Sequence, residues 1–317
     1  KSWGLKFHTL RTGVKFNGNI FVDDRGVNSE DFFSDSKSLN KESGSGVDTN
    51  VVIVNRVIKE ATNERVEKLI DEIKFIESVP KEFKDKFPEI VFSKYDNKKA
   101  FYEMKHYELP TIRRLILSGQ MDSEEIVEWS DKITRFSMSM YAHEKLDITN
   151  QEYFDVLHWG RFDNRIEELA SKSEWFKQTL SKEDISINGK AYKNLPVLYK
   201  RIRAKQDWFN PEFVGRWSHS DLHFSNILID KDNNDFRLID PRGYDFCDYY
   251  YDFGKLWHSV NSKYELIASR MFKVSDIDDG HWFSLEQGKP YFALENSKHK
   301  VMDIFADVSS ETRDEVE

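Results

Sequence analysis

Three side chains carry the chemistry of this sequence: Asp221, Asn226 and Asp240. Two short apolar runs, Ile227–Ile229 and Phe236–Ile239, flank Lys231–Asp235, a stretch of turn-forming residues. Such runs around such a loop predict a β-hairpin. Asn233 stands at its midpoint, with Asn226 seven residues before it and Asp240 seven after. The hairpin is therefore expected to set Asn226 and Asp240 side by side at its open end. Both offer hard oxygen donors, which suit Mg²⁺ beside a phosphate. Asp221, in the loop five residues ahead of Asn226, can accept a proton from an attacking hydroxyl.

A base Asp, an Asn on metal and a second Asp on metal are the parts of a kinase active site. His219-Ser220-Asp221-Leu222-His223-Phe224-Ser225-Asn226 resembles the HGDLHxxN loop of aminoglycoside phosphotransferase-like and choline kinase-like enzymes, with Ser220 where the family has Gly. Leu238-Ile239-Asp240-Pro241-Arg242-Gly243 looks like the IDPRG form of the branch associated with bacterial capsule and surface-sugar loci. The resemblance extends over roughly residues 50–300, but only the catalytic loop and the hairpin are specific. It implies an α+β, bilobal protein kinase-like fold with a small β-rich N-lobe and a mainly helical C-lobe. It further implies ATP and Mg²⁺ as cofactors and a small-molecule hydroxyl as acceptor.

Composition bounds the class. The chain has 317 residues, 39% hydrophobic and 32% charged, which fits a globular protein large enough for two cores. No apolar run approaches the roughly 20 residues of a spanning helix, so membrane insertion is not expected. Cys247 is the lone cysteine, which rules out an internal disulfide and suits a cytoplasmic setting. No Cys/His pairs show zinc spacing. A net charge of −9 argues against a nucleic-acid partner and is compatible with a neutral or cationic small substrate. Lys1 is not a start methionine, and the last residues read as an uncapped helix, so both ends look cut from a longer, multidomain polypeptide.

Residues 1–35 read as an N-terminal extension. Asn19–Val22 followed by Asp23-Asp24 resembles the last strand of a haloacid dehalogenase-type domain, although that family's DxD motif is absent. A plain turn at Asp23–Gly26 is the competing reading. Residues 36–107 are expected to form the N-lobe and hinge. Ser43-Gly44-Ser45-Gly46 serves equally as a phosphate loop or as a linker. Lys59, in an apolar β-branched run, matches the family's strand lysine. The spacing of Val66, Leu69, Ile70, Ile73 and Ile76 predicts a helix closed by Pro80. Glu72 on that helix is the candidate partner of Lys59, with Glu64, Glu67 and Asp71 as rivals. Strands are expected at Pro88–Phe92 and Ala100–Tyr107, and Glu103–Tyr107, including Glu103 and Lys105, are the candidates for the adenine edge. Met104 and Tyr107 line that pocket or serve as core.

Residues 108–317 are expected to form the C-lobe, with the catalytic loop within 217–243. A short helix over Thr111–Leu117 is followed by a long one from Asp122 to about Lys145, whose Ile126, Trp129, Ile133, Phe136 and Met140 make one apolar stripe. Helices are predicted over Gly160–Ala170 and Pro196–Lys205. Trp159, Arg161, Trp175 and Trp208 are candidates for an acceptor pocket, against the commoner fate of aromatics as packing. Asp248–Leu256 resembles the family's DxxYDxxKL helix, in which Asp252 accepts backbone N–H groups of the catalytic loop. His219 is expected to orient that loop. His223 is left between packing and phosphate contact, and Arg242 between substrate, phosphate and a nearby acid. The reading is an ATP-dependent phosphotransferase acting on a sugar or polyol of surface-polysaccharide synthesis. Choline, ethanolamine or aminoglycoside kinases, and a non-catalytic nucleotide-binding module, are the alternatives.

Overall fold

The computed structural model describes residues 51–53, 56–205, 214–277 and 280–314. The extension before residue 36, Ser43, Gly44 and Trp208 lie outside the described residues. The chain is an α+β protein that divides into two units, one ending at Leu69 and completed by Ile90–His106, the other holding Ile70–Glu89 and everything from Tyr107.

The smaller unit is built on an antiparallel sheet of β1 (Val51–Ile53), β2 (Arg56–Thr62), β3 (Ile90–Tyr95) and β4 (Lys99–Lys105), in the order β1-β2-β4-β3. Period-two alternation buries Ala100, Tyr102 and Met104 of β4. Lys59 pairs with Tyr102 across the sheet, which puts a lysine on the same face as those buried residues. β4 ends at Lys105, short of the Tyr107 expected from its composition.

Helix α1 (Val66–Ser78) leads into the larger unit and stops just before Pro80, which cannot continue it. Then come α2 (Ile112–Leu117) and α3 (Ser123–His143). Asp122 caps α3 by accepting from the Glu124 and Glu125 backbones at 2.9 and 3.0 Å, and the Glu125 carboxylate accepts from the Asp122 backbone at 3.1 Å. The stripe of α3 faces inward, with Ile126, Trp129, Ile133 and Met140 buried. Next, α4 (Asn150–Tyr153) passes through a π-helical turn, Phe154–Trp159, into α5 (Gly160–Lys172) and α6 (Glu174–Leu180). The turn packs Phe154, Leu157 and Trp159 into a cluster with Met138, Tyr141 and Tyr249.

Strands β5 (Asp184–Ile187) and β6 (Lys190–Lys193) precede α7 (Leu195–Arg203), with Pro196 in its first turn. The site segment then runs through β7 (Val214–Gly215), β8 (Ile227–Asp230), β9 (Asp235–Leu238) and β10 (Cys247–Asp248) into α8 (Tyr249–Val260). After α9 (Tyr264–Ala268), strands β11 (Phe272–Ile277) and β12 (Gly280–Leu285) join β5 and β6 in one sheet, through a parallel pairing of His281 with Ile187. The final helix, α10 (Lys289–Asp314), packs along α3. No helix among the described residues is long and apolar enough to cross a membrane.

Candidate active site

The β8–β9 hairpin pairs Ile227 with Leu238 and Asp230 with Asp235. Its turn holds four residues, Lys231–Asn234, and the Asp230 carboxylate pins it by accepting from the Asn233 backbone at 3.1 Å and side chain at 2.8 Å. An even loop puts the hairpin axis between Asp232 and Asn233, not on Asn233. Asn226 therefore faces Ile239, whose N–H donates to the Asn226 carbonyl at 2.9 Å, and Asp240 stands one residue further on. The side-by-side placement is corrected by that half-step. Asp240 has φ of +60°, a turn of the backbone that redirects the chain as it leaves the hairpin.

The loop ahead of β8 is tied down from several sides. The His219 backbone N–H donates to the Asp252 carboxylate on α8 at 3.0 Å, and the Tyr141 hydroxyl donates to the same oxygen at 2.9 Å. The His219 ring Nε2 bonds the Ile239 carbonyl at 2.8 Å, while its Nδ1 accepts from the Asp221 backbone at 3.2 Å. That pairing fixes the tautomer with the proton on Nε2. Burial pushes the His219 ring down to about 4, so it orients the loop as a neutral group. Burial does the same to His223, also down to about 4. Its Nδ1 accepts from the Ser225 backbone at 3.3 Å and its ring packs edge-on against Tyr264. Both contacts are of the loop-packing kind. Ser220 takes φ of +60°, a conformation natural to glycine, and its hydroxyl lies 2.7 Å from that of Ser218.

Asp221 is the electrostatic centre. Arg242 reaches its Oδ2 with Nε at 2.8 Å and Nη2 at 2.6 Å, and the Lys255 ammonium lies 3.0 Å from its Oδ1. Burial alone would raise the Asp221 carboxyl, but the Arg242 and Lys255 cations outweigh it and hold the group well below the usual carboxylate range. Of the three readings of Arg242, its pairing with an acid is the one the geometry carries. Asn226 commits its amide nitrogen to the Asp221 carbonyl at 3.0 Å, and no hydrogen bond to its Oδ1 occurs among the described residues. That oxygen and the Asp240 carboxylate are both hard donors. Among the described residues no group of three or more His, Cys, Asp or Glu could hold a metal by itself. The combination fits Mg²⁺, which keeps its waters and takes further oxygens from a bound phosphate.

Lys59, Glu103 and Lys105 belong to the smaller unit, and Glu72 is buried on α1 in the larger one. Glu103 lies mid-sheet, opposite Ile58 and Phe92, with its carboxylate on Arg56 at 3.0 Å. Its strand has a neighbour on both sides at this position. Lys105 closes β4 opposite Arg56. The Tyr107 hydroxyl accepts from the Glu89 backbone at 3.2 Å, a structural contact.

Beside Asp221 lies a cleft of about 630 Å³, lined by the π-turn, the first turns of α5, Arg242, Tyr251 and Lys255. Of the aromatic candidates, Trp159 contributes to its wall while stacking on Phe154, and Trp175 stands exposed on α6 away from it. Lys255 went unassigned in the sequence. It follows Asp221 by 34 residues, and only its place in the DxxYDxxKL pattern that Asp248–Leu256 resembles could have signalled it.

No family model matches the chain, and no curated protein does. Among solved structures it is similar to the BubR1 kinase domain, at 10% identity over 86% of this chain and 82% of that one, with a TM-score of 0.32. A likeness at that score carries no argument about fold or activity.

Proposed function

We propose that the chain is an ATP-dependent phosphotransferase that moves the γ-phosphoryl group to a hydroxyl of a small molecule. The observation that carries this reading is the Asp221 carboxylate, kept ionised by Arg242 and Lys255 and joined through its own carbonyl to Asn226 at the mouth of the hairpin. The resemblance of the loop and hairpin to aminoglycoside phosphotransferase-like enzymes supports it.

Asp221 receives the acceptor hydroxyl and takes its proton as the O–P bond forms. A carboxylate this acidic is a weak base, so its first task is orientation, with proton uptake late in the step. His219 and Asp252 hold the loop through which Asp221 is aimed. Mg²⁺, held by Asn226 and Asp240, would offset charge on the phosphate oxygens. Lys59, set by Glu72, is the proposed contact to the α- and β-phosphates. Transfer of this kind needs alignment and charge compensation more than covalent help.

The cleft beside Asp221 favours a sugar or polyol acceptor over choline or an aminoglycoside. Its lining carries Arg161, Arg165, Arg242 and Lys255 against Glu168. A quaternary ammonium needs free aromatic faces, and the Tyr244 and Tyr251 rings already face the Arg161 guanidinium, at 5.3 and 5.4 Å. A role in surface-polysaccharide synthesis belongs to the same proposal. The test is ATP consumption by the full chain across sugars, polyols, choline and aminoglycosides, with and without Mg²⁺. Tight ATP binding without turnover of any acceptor would favour the non-catalytic module.

A further inference from the structure

The overall charge of −9 suggests a neutral or cationic ligand, yet the cleft beside Asp221 has the opposite sign. Its single carboxylate, Glu168, is neutralised by Arg165 at 2.6 Å and Lys172 at 2.7 Å. Arg242 and Lys255 share Asp221. That leaves Arg161. It is half-buried, and no carboxylate pairs with it among the described residues. One guanidinium N–H meets the Tyr251 hydroxyl, and the Tyr244 and Tyr251 rings brace the plane. The other N–H groups of that fork have no acceptor among the described residues. A guanidinium fixed in this way is prepared for an oxyanion, which it binds through two parallel hydrogen bonds.

The position matters as much as the charge. The Tyr251 ring that carries Arg161 also lies 5.8 Å from the Lys255 ammonium, which in turn lies 3.0 Å from Asp221. Arg161 therefore stands one tyrosine ring away from the group that receives the hydroxyl. The cleft between them, about 630 Å³, is of the size that small-molecule sites occupy.

We propose that the acceptor bears an anionic group, a phosphomonoester or a carboxylate, in addition to the hydroxyl that is phosphorylated, and that Arg161 holds that group. This rests on the phosphotransfer reading. In the step, the acceptor O–H bond breaks and its proton passes to Asp221. The oxygen forms a bond to the γ-phosphorus as the β,γ-bridging P–O bond breaks, and ADP leaves. Arg161 takes no part in bond making. It fixes which hydroxyl of the acceptor lies at Asp221.

The test is calorimetric titration of the full chain with glucose 6-phosphate, glycerol 3-phosphate and glucuronate, each against its uncharged counterpart, glucose or glycerol. The charged compounds bind and the uncharged ones do not at equal concentration. The phosphomonoester and carboxylate arms show which anion the site takes. Arg161→Met weakens charged compounds by roughly ten- to a hundredfold, as expected for a lost charged hydrogen bond, and Arg161→Lys restores part of the affinity. Equal binding of charged and uncharged partners, no binding of any charged probe at millimolar concentration, or an equal effect of Arg161→Met on both classes overturns the proposal. The wild-type comparison decides even where Arg161→Met fails to fold. ATP consumption is read separately. Charged compounds that bind without ATP turnover fault the phosphotransfer reading and leave the anion site standing. Turnover of uncharged acceptors alone does the reverse.

Discussion

Lys255→Met keeps the aliphatic stem of a half-buried side chain and removes its charge, so it isolates one arm of the clamp on Asp221. Coulomb's law at 3.0 Å with an effective dielectric of 20 gives about 5–6 kcal/mol for the pair. Desolvation of both groups cancels much of that, and Arg242 still holds the carboxylate after the change. Side-chain exposures of 28% for Lys255 and 10% for Asp221 place the pair between a surface bridge and a fully buried one. The expected loss is about 2 kcal/mol at neutral pH, in the range of a hydrogen bond between charged groups. The sign follows from linkage. The folded-state pKa of Asp221 is depressed, so its contribution is present above the unfolded value near 3.8 and is lost as pH falls through the folded value. Urea denaturation of wild type and variant should therefore show a constant gap between pH 8 and 5. The gap should close only as pH falls through the variant's folded-state value, which Arg242 still holds below the ordinary carboxylate range, because Asp221 then takes up its proton in the variant first. A variant as stable as wild type at pH 7, or a gap that widens in acid, refutes the clamp.

Ser220→Gly should lie within about 1 kcal/mol of wild type, because relief of the φ of +60° offsets loss of the buried bond to Ser218. Ser220→Ala keeps the strained backbone and loses the bond, and should fall by about 1–2 kcal/mol; denaturation midpoints in the reverse order would contradict the loop geometry. Gly243→Ala should cost about 2–5 kcal/mol, since a Cβ there would lie 2.3 Å from the Asp71 carbonyl oxygen and 2.8 Å from the Glu72 nitrogen, at φ of +68°; an unchanged melting temperature would be incompatible with that contact. Burial pushes Asp248 and Asp252 up to about 7. An acid raised in this way favours the fold most when protonated, so stability should decline as pH rises from about 4 to 7. Asp252→Asn retains an acceptor for the His219 N–H and should flatten that slope; an unaltered slope in the melting series would remove Asp252 as its source.

The elements that rest on local pattern were legible in the chain. The stripe of α3 and the β8–β9 hairpin follow from periodicity and turn chemistry, and α8 was signalled by the resemblance of Asp248–Leu256 to the DxxYDxxKL helix. The half-step in the hairpin was not, because a run of five polar residues does not reveal how many belong to the turn. The β5–β6 and β11–β12 pairs escaped notice because each is short and partly exposed. They form one sheet only through the pairing of Ile187 with His281, about a hundred residues away. The site was legible as far as one segment could carry it. Asp221, Asn226 and Asp240 lie within a single stretch, and their spacing is what makes them the proposed centre of the site. Lys255 reaches Asp221 through tertiary packing of α8, and the charge of the cleft comes from α5, the hairpin end and α8 together. Composition averages over such a surface, which is why a net charge of −9 pointed away from it.

Phosphoryl transfer itself is read by ³¹P NMR of the full chain with ATP, Mg²⁺ and a hydroxyl acceptor, in wild type and Asp221→Asn. Wild type should convert the γ-phosphate signal into a new phosphomonoester on the acceptor. Asp221→Asn should bind ATP as before and form none of it. Equal product from both proteins, or no phosphomonoester from wild type with any acceptor, would contradict the role of Asp221 and the activity built on it.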